Sequence, residues 1–180
     1  MDIFEAIKGR RSIRYFKPIQ IPDEIINKIL ESACWAPSAG NLQSWEFILV
    51  KDEKIKKELC NAALGQCFIQ EAPLVIVVCA NQNRSSSRYG NRGINLYSIC
   101  DSSAAIQNIL LSAYALGLGT CWVGAFYDEE VARILKLPNG IKPIAIIPIG
   151  YPNEKPKAPR RFPLDKVVHK ERYEKKSLLF

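Results

Sequence analysis

The order of helical and strand segments in the sequence predicts a fold of the α+β or α/β class. Apolar residues recur along one face of segment 23–36, behind a proline at position 22, as in an amphipathic helix. Residues 74–80, which read LVIVVCA, form a continuous run that predicts a strand buried on both faces. Helices alternate with few strands along 180 residues, a length that suits one domain with a sizeable core. We therefore expect a single domain over residues 1–180.

Seven further elements are expected from the same patterns. The clearest is a helix over 94–118, which is apolar nearly all round and is therefore typical of a helix buried in a core or an oligomer interface. Gly117 and Gly119 are expected to end this helix. Pro148 lies inside the last predicted strand and indicates an edge strand or a bulge. Helices are also predicted at 2–9, 52–64 and 128–135, and strands at 45–51, 120–125 (a short strand or a turn) and 142–150.

Two polar segments interrupt this periodic pattern. Residues 81–93, NQNRSSSRYGNRG, are rich in Gly, Ser and Arg and predict a loop, which is either a mobile lid over a site or a solvated connection. Residues 151–180 hold four prolines among many charges and lack periodicity. This C-terminal arm is expected to extend over a surface rather than to fold alone.

The apolar runs of the sequence are short. A membrane-spanning helix needs ~20 apolar residues, whereas the longest runs here are of the length of 74–80 and 144–149. The first residues, MDIFEAIKGRR, include acidic side chains and no apolar core of a signal peptide. We therefore expect a cytoplasmic protein that does not bind a membrane.

Cysteine and histidine usage argues against several kinds of site. The six cysteines form no C-x-x-C pair, which argues against a zinc ribbon, an iron–sulfur cluster or a thioredoxin-type site. Buried free thiols are expected instead, since Cys79, Cys100 and Cys121 lie inside apolar runs. The only histidine, His169, lies in the charged arm, so neither a Ser-His-Asp or Cys-His site nor a metal site is expected. The glycines of 117–124 fit neither the Rossmann fingerprint nor a P-loop.

The net charge of +7 is concentrated at the two ends of the chain. Residues 1–20 hold five basic and two acidic side chains, and residues 151–180 hold nine basic and four acidic, whereas the middle holds eleven basic and twelve acidic. Basic ends are compatible with a nucleic-acid-binding module and also with an enzyme that binds a phosphorylated ligand between its termini. The sequence contains no RNP-type aromatic pattern and no recognition-helix signature for the first alternative.

Four non-helical segments have residues suited to a flat, phosphorylated ligand. Residues 10–16, RRSIRYF, place three guanidinium groups around one hydroxyl, and residues 37–45, PSAGNLQSW, are small enough for a ligand to approach the backbone. Residues 122–126, WVGAF, contain a glycine that can present a bare N–H, and residues 159–163, PRRFP, add a second basic pair. Taken singly, a basic heptad is usually a solvated surface, PSAGN is usually a turn and WVGAF is usually a buried strand with a glycine bulge.

Taken in order, these segments resemble the nitroreductase family of flavin enzymes. That family has a short helix and then Arg-x-Ser-x-Arg/Lys-x-Phe, as at 10–16, followed by Ala-Pro-Ser-x-x-Asn-x-Gln-x-Trp, as at 36–45. Its long central helix ends Ala-Leu-Gly-Leu-Gly, as at 115–119, and runs into a segment like CWVGAF at 121–126. A basic residue in the C-terminal arm completes the resemblance, which extends from residue 1 to about residue 163.

The resemblance implies an α+β fold with a mixed, mostly antiparallel sheet flanked by helices and a long central helix. It implies a homodimer that binds two FMN molecules at the subunit interface, with the arm of residues 151–180 exchanged between subunits. It also implies that NADH or NADPH delivers a hydride to flavin N5, from which an electron-poor acceptor such as a nitroaromatic or a quinone takes it in a ping-pong order. At 180 residues the chain lacks the insertions that build lids in larger members, which leaves 81–93 as the candidate cover.

The resemblance assigns the basic residues to the two ends of FMN. Arg10 and Ser12, joined from the arm by Arg161 or Arg160, would bind the phosphate, because guanidinium groups bind phosphate oxygens bidentately. Arg14 would lie at the N1/O2 edge of the flavin ring, where a fixed cation raises the redox potential. A further arginine, at position 11, would contact the same edge or the ribityl chain.

The remaining residues would surround the ring, some of them from the other subunit. Gly124 would donate its backbone N–H to flavin N5, with Val123 beside it. Gln66 and Asp101 lie near positions where the family places a ribityl or ring contact. From the other subunit would come Pro37, Ser38, Ala39 and Asn41.

Three alternatives to a nitroreductase-like enzyme remain open at the level of sequence. One is a specialised flavin protein that reduces or rearranges a single metabolite. Another is a flavin-binding regulator without turnover, and the third is a nucleic-acid-binding module. Neither the nicotinamide nor the physiological acceptor is specified by the sequence.

Overall fold

A computed structural model describes residues 1–176 of the 180. Its centre is a four-stranded sheet with the strand order β1-β2-β4-β3, in which all neighbouring strands are antiparallel. An isolated parallel bridge between Ser12 and Thr120 continues the pairing beyond β3. The sheet is therefore mixed and mostly antiparallel, as predicted. The strands are β1 Trp45–Val50, β2 Leu74–Asn81, β3 Gly119–Thr120 and β4 Ile141–Gly150.

The strand predicted to be buried on both faces is β2, and this prediction is confirmed. It lies between β1 and β4, and residues 74–80 are all buried. Leu74, Ile76 and Val78 contribute to a hydrophobic core on one face of the sheet, whereas Val75 and Val77 contribute to a second core on the other face. Each such side chain contributes roughly 1.5–3 kcal/mol when it is fully buried.

Helices cover both faces of this sheet. The helices α2 and α6 pack on one core, and α3, α4 and α7 border the other. A single 3₁₀ turn at Ala39–Asn41 and a π-helical turn at Gly93–Tyr97 interrupt the regular elements. The α-helices are α1 Ile3–Gly9, α2 Asp23–Cys34, α3 Glu53–Ala62, α4 Phe68–Glu71, α5 Gln82–Arg92, α6 Ser98–Ala115, α7 Asp128–Ile134 and α8 Leu164–Val167.

The long central helix differs from its prediction in two ways. Residues 93–97 form a π-helical turn, so the α-helix begins at Ser98. It is also not apolar all round, because Gln107, Asn108 and Ser112 lie on a partly exposed side. Its C-terminal end is as predicted: Gly117 has φ 79° and the next N–H donates back to the Ala113 carbonyl at 2.9 Å.

The prediction of a loop at 81–93 is wrong, because residues 82–92 form α5 between the end of β2 at Asn81 and the π-helical turn that begins at Gly93. Asn81 caps the helix by accepting a hydrogen bond from the Arg84 N–H at 2.9 Å. The hydroxyls of Ser86 and Ser87 donate to carbonyls three residues earlier, at 3.1 and 2.8 Å, so these polar side chains are satisfied within the helix. Polar composition alone therefore misidentified a solvent-facing helix. Gly90, with φ 51° and ψ −136°, kinks it near its end.

Two smaller expectations also fail. Pro148 lies in β4, which is an inner strand, and the irregularity of that strand occurs opposite Val78 and Cys79 rather than at the proline. Cys100 is exposed, although Cys79 and Cys121 are buried as expected. The apolar run around Cys100 belongs to one side of α6, and the thiol lies on the other side.

The C-terminal arm begins as an ordered strand-like segment and then becomes exposed. Its first residues pair with the segment after α1 through an antiparallel bridge between Phe16 and Pro152. Residues 157–165 are all exposed, and the short helix α8 forms near the end of this stretch. The last four residues of the predicted arm, 177–180, lie outside the described residues. No helix within residues 1–176 is both long enough and apolar enough to cross a membrane.

Candidate functional site

The segment 10–16 is fixed between β3 and the start of the arm. The Ile13 N–H donates to the Thr120 carbonyl at 2.9 Å, which aligns the segment beside the short edge strand. On its other side, the Glu154 carboxylate accepts hydrogen bonds from the N–H groups of Arg14 and Tyr15, the second at 3.1 Å. The backbone is therefore held on both sides, so the arginine side chains project from a fixed frame.

These arginines line a cavity of about 320 Å³ together with the arm. The cavity brings two parts of the sequence together, the segment after α1 and the stretch of the arm from Pro156 to Arg161. All of its charged side chains are basic, and no carboxylate of the described residues lines it. Its lining residues are Arg10, Arg11, Ser12, Arg14, Pro156, Lys157, Pro159 and Arg161.

The electrostatics of the cavity are those of a site for an anion. Burial lowers the pKa of Arg10, and the neighbouring cations Arg161 and Arg11 lower it further. This effect means that the protonated guanidinium is partly desolvated and repelled by its neighbours. A bound anion with several oxygens would relieve both effects, and phosphate matches the fork geometry of guanidinium donors.

The two arginines of the arm differ in their position relative to the cavity. Arg161 lines the cavity and lies close enough to Arg10 to affect its pKa, whereas Arg160 is absent from the lining.

Arg11 makes contacts within its own segment. One guanidinium nitrogen of Arg11 donates to the carbonyls of Lys8 and Arg10 at 2.7 and 2.8 Å. Arg11 therefore caps the C-terminal end of α1, and that nitrogen is already engaged.

Arg14 is directed toward a second group of predicted residues. Its guanidinium lies over the ring of Phe68 at 5.6 Å. Two residues earlier, the side-chain amide of Gln66 donates to the Ala125 carbonyl at 3.2 Å and so fixes the loop that contains Gly124. Of these predicted residues, Arg14 lines the cavity, whereas Gln66 and Gly124 do not; Gln66 acts on the loop through its contact with the Ala125 carbonyl.

The Gly124 loop leaves room for a ligand. Val123 is buried and exchanges two backbone hydrogen bonds with Ile146, both at 3.0 Å, so the residue before the glycine is fixed to β4. Within residues 1–176, the Gly124 N–H donates no hydrogen bond. The nearest atom to a Cβ built at this glycine is Trp122 Nε1, at 3.6 Å, so this position is open.

The segment 37–45 is positioned by a buried carboxylate on α6. Asp101 is 5 % exposed and accepts hydrogen bonds from the Ala39 N–H at 3.0 Å and the Ser44 hydroxyl at 2.6 Å. The Ser38 hydroxyl accepts from the Gln43 N–H at 2.9 Å, which closes the turn. Asp101 therefore positions this segment, and both of its oxygens are engaged within the chain.

The helix α5 packs directly on this segment. Gly40 has φ 57°, a conformation that favours glycine, and a Cβ at this position would lie 2.6 Å from the Tyr89 hydroxyl and 3.0 Å from the Arg88 guanidinium. Tyr89 stacks edge-on against Tyr97 with ring centroids 5.0 Å apart. The helix α5 thus packs on the Pro37–Asn41 segment, and the alternative that residues 81–93 act as a mobile lid stays a prediction.

The two halves of the predicted site lie at opposite ends of α6. Asp101, which fixes segment 37–45, is near the start of the helix, and Ala115 is at its end. Fourteen residues at 1.5 Å each separate them by about 21 Å. The chain then reaches Thr120, beside which Ser12 pairs. Within one chain, the structure therefore does not bring Pro37, Ser38, Ala39 and Asn41 to the basic cavity.

Comparison with known proteins adds the evidence of relatedness. The family model described as "Nitroreductase family" matches residues 7–68 and 61–151. An Archaeoglobus fulgidus protein, provisionally named NADH dehydrogenase/NAD(P)H nitroreductase, is 36% identical over 179 residues and covers 96% of this chain and 99% of its own. The chain belongs to the nitroreductase family.

One solved structure and a further sequence relative agree with this assignment. The NADPH:FMN oxidoreductase from Vibrio harveyi, solved in complex with NAD+, superposes with a TM-score of 0.90 at 28% identity and covers 97% of this chain and 79% of that one. The NADH dehydrogenase of Thermus thermophilus is 31% identical over 195 residues, covering 93% of this chain and 95% of that protein. The family resemblance and the α+β nitroreductase fold expected from the sequence are confirmed, and the protein is an oxidoreductase.

Several residues in or near the cavity were not predicted from the sequence. Lys157 lines the cavity, Glu154 holds the arginine segment, and Phe68 supports Arg14. Cys121 is buried beside Ser12, and burial raises the pKa of its thiol although the neighbouring Arg14 opposes this shift. Glu154 and Lys157 carried no signal beyond the charge of the arm, whereas Phe68 and Cys121 looked like ordinary core residues.

Proposed function

We propose that this member of the nitroreductase family binds FMN and transfers hydride from NADH or NADPH to an electron-poor acceptor. The observation that carries the proposal is the cavity lined by Arg10, Ser12, Arg14 and Arg161, in which every charged side chain is basic. The hydrogen-bond donors of the cavity are hydroxyl and guanidinium groups, which suit a terminal phosphate. The flavin ring would lie outside the cavity. Relatives of the chain are named FMN reductase [NAD(P)H] in Bacillus subtilis and NADPH-flavin oxidoreductase in Vibrio harveyi.

The chain would hold the two ends of FMN differently. Arg10, Ser12 and Arg161 would bind the phosphate, since Arg10 is the partly desolvated cation of the cavity. Arg14, held over Phe68, would place a fixed positive charge near the edge of the ring that gains negative charge on reduction. When bound, FMN supplies a hydride acceptor and donor at its N5 atom.

Gly124 would support the reacting edge through its backbone. Its N–H donates no hydrogen bond within residues 1–176, and no side chain blocks its approach. Gln66 holds the following carbonyl, so this N–H is pre-oriented without any acid–base side chain. We propose that reductant and acceptor occupy the same exposed place in turn, which is a ping-pong order.

We further propose that the site is completed by a second copy of the chain. Segment 37–45 is held at the start of α6, and the helix runs about 21 Å from Asp101 to its end beside β3 and the arginine segment, which supports a contribution of this segment to the partner's site. An apolar surface suited to a partner lies along α1 and the end of α2, where Phe4 is 68% and Trp35 is 81% exposed. A cleft of about 470 Å³ between Ile3, Trp35 and Leu111 continues this surface onto α6.

Colour and cofactor release test the central proposal. The purified protein should be yellow, and heat should release FMN rather than FAD, because the cavity fits a terminal phosphate and the sequence lacks an adenosine-binding fingerprint. Anaerobic mixing with NADH and with NADPH should bleach the flavin, and a quinone or nitroaromatic should restore the colour. A colourless protein that does not take up FMN would refute the proposal, and flavin binding without bleaching would indicate a regulator.

A further inference from the structure

Two cysteines outside the candidate flavin contacts lie at the two ends of one tight turn. Cys60 is near the end of α3, and Cys67 immediately precedes α4. Between them the chain reverses through Leu64 and Gly65, whose φ angles are 59° and 74°. The Gly65 N–H donates back to the Cys60 carbonyl at 3.0 Å, which closes the turn and brings Cys67 back to Cys60.

The two thiols lie on one turn and differ in exposure. The Cys67 sulfur donates to the Gly65 carbonyl at 3.3 Å, in the residue whose N–H is bonded to the Cys60 carbonyl, and Cys67 lies close enough to Cys60 to affect the pKa of its thiol. Cys67 is exposed, whereas Cys60 is 3% exposed. Burial raises the pKa of Cys60, and the neighbouring Cys67 and Glu71 raise it further. An accessible thiol thus has a shielded, protonated thiol as its neighbour.

The turn between these cysteines also positions the candidate flavin site. Gln66, adjacent to Cys67, holds the Ala125 carbonyl at 3.2 Å beside Gly124. Phe68, on the other side of Cys67, lies under the Arg14 guanidinium. A disulfide requires a sulfur–sulfur distance of about 2.05 Å and a dihedral angle near 90°, so Cys67 must leave its contact with Gly65 when the bond forms. That movement would shift the residues on both sides of it.

We propose that Cys60 and Cys67 are a redox modification site, a dithiol that hydrogen peroxide converts reversibly into a disulfide. The Cys67 thiolate attacks one peroxide oxygen, the O–O bond breaks, and a sulfenic acid and, after protonation, water are formed. The Cys60 sulfur then attacks the Cys67 sulfur, its proton passes to the departing hydroxide, and a second water leaves. Two thiols lose two electrons and two protons, and one peroxide becomes two waters. A dithiol reductant reverses the reaction by exchange.

Digestion of the intact protein after peroxide treatment tests this site. Cleavage after Glu58 and Glu71 yields the peptide 59–71, in which Cys60 and Cys67 are the only thiols. After treatment and alkylation, this peptide should carry no alkyl groups and weigh two hydrogen atoms less than the reduced peptide. Dithiothreitol should restore both alkylation sites. Sulfinic acid at Cys67 with an unreacted Cys60 would overturn the proposal, as would an unchanged peptide when Cys34 and Cys100 are oxidised.

Matched variants separate the disulfide from general oxidation. Cys67→Ser should abolish the mass change in 59–71, whereas Cys34→Ser and Cys100→Ser, which remove other exposed thiols, should leave it unchanged. Peptide mass does not depend on flavin, so this part can succeed or fail independently of the proposed function.

The coupling to the flavin site rests on the proposed function. Oxidation should raise the FMN dissociation constant about fivefold, which corresponds to loss of one positioning hydrogen bond of about 1 kcal/mol. Cys67→Ser should bind FMN with the same affinity before and after peroxide. A disulfide that leaves the dissociation constant unchanged would overturn the coupling and leave the modification site intact.

Discussion

The Ser44 hydroxyl donates a 2.6 Å hydrogen bond to the Asp101 carboxylate across 57 positions of sequence. Both side chains are buried, and the second carboxylate oxygen accepts the Ala39 N–H. A buried carboxylate is costly unless its oxygens are satisfied, and here the donors come from the segment that the family resemblance places on the flavin ring. Asp101 therefore fixes the conformation of this segment relative to the core helix α6.

Replacing Asp101 by alanine should destabilise the protein and weaken flavin retention. The substitution leaves the Ser44 hydroxyl and the Ala39 N–H without their acceptor, and hydrogen bonds to charged groups are worth roughly 1.5–3 kcal/mol each. We expect a loss of about 3 kcal/mol in the free energy of unfolding, measured by denaturant titration.

The neighbouring Ser102 provides the control for Asp101. It is also buried on α6, but its hydroxyl reaches its carbonyl partners at only 3.5 Å. Ser102→Ala should cost less than about 1 kcal/mol. If the two variants were equally stable, Asp101 would not have the positioning role assigned here.

The adjacent arginines of the arm should differ in their effect on FMN binding. Arg161 lines the basic cavity beside Arg10, whereas Arg160 does not line it. Arg161→Ala should raise the FMN dissociation constant more than about tenfold, since a charge-assisted pair at a partly desolvated site is worth ~2–5 kcal/mol. Arg160→Ala should stay within about twofold of the parent in isothermal titration at the same salt concentration. Equal losses would point to general electrostatic attraction.

The two ends of the arginine segment should have separable roles. Arg10→Ala should weaken FMN binding well over tenfold, because a loss of ~2–5 kcal/mol exceeds the ~1.4 kcal/mol of one decade, with little effect on turnover at saturating FMN. Arg14→Ala should lose less binding but make the flavin midpoint potential more negative, because its cation over Phe68 would favour the reduced ring. Spectroelectrochemistry and FMN titration of both variants decide this. A lowered potential in Arg10→Ala alone would show that the roles are reversed.

Gly124 offers a test in which a methyl group should affect function without affecting the fold. A Cβ at Gly124 finds its nearest neighbour at 3.6 Å, so Gly124→Ala should change the free energy of unfolding by less than about 0.5 kcal/mol. The methyl would nevertheless occupy the approach to the free N–H, and turnover should fall strongly. Gly119→Ala is the contrasting variant, because its Cβ would lie 2.7 Å from Ile13 Cγ1 and should cost about 1–3 kcal/mol. Unchanged turnover in Gly124→Ala would exclude the backbone contact.

Most of the fold could be predicted from the sequence because the patterns of apolar residues that indicate helices and strands are local. The β-branched run of β2 and the helical spacing of α2 predicted elements that differ from the structure only at their ends. The error at 81–93 arose because serine and arginine look like loop residues, while the cap at Asn81 and the packing on Gly40 that stabilise α5 depend on tertiary structure. Such contacts carry no periodic signature in a single sequence.

The site was predictable only in part, for a related reason. Arg10, Ser12, Arg14 and Arg161 could be grouped because segments with matching chemistry occurred in a familiar order, and the structure brings them to one cavity. The structural contacts of Arg11, Gln66 and Asp101 could not be predicted, because each depends on which backbone group happens to lie nearby. Residue type indicates the available donors, and only the fold determines their partners.

Mixing two defective variants tests whether the site is shared between subunits. Arg10→Ala should damage the phosphate half, and Ala39→Trp should obstruct the ring half, which α6 separates by about 21 Å within one chain. In a dimer with two sites, a heterodimer contains one site with both defects and one with neither. Equal mixtures in which subunits exchange freely should therefore recover about a quarter of the parent activity, because about half of the dimers are mixed and each has one intact site. If each chain contained a complete site, the mixture would be no more active than its components. Co-refolding the variants and measuring NAD(P)H oxidation at an FMN concentration that loads the parent but leaves Arg10→Ala largely unloaded distinguishes these outcomes, with the parent protein carried through the same refolding as the reference.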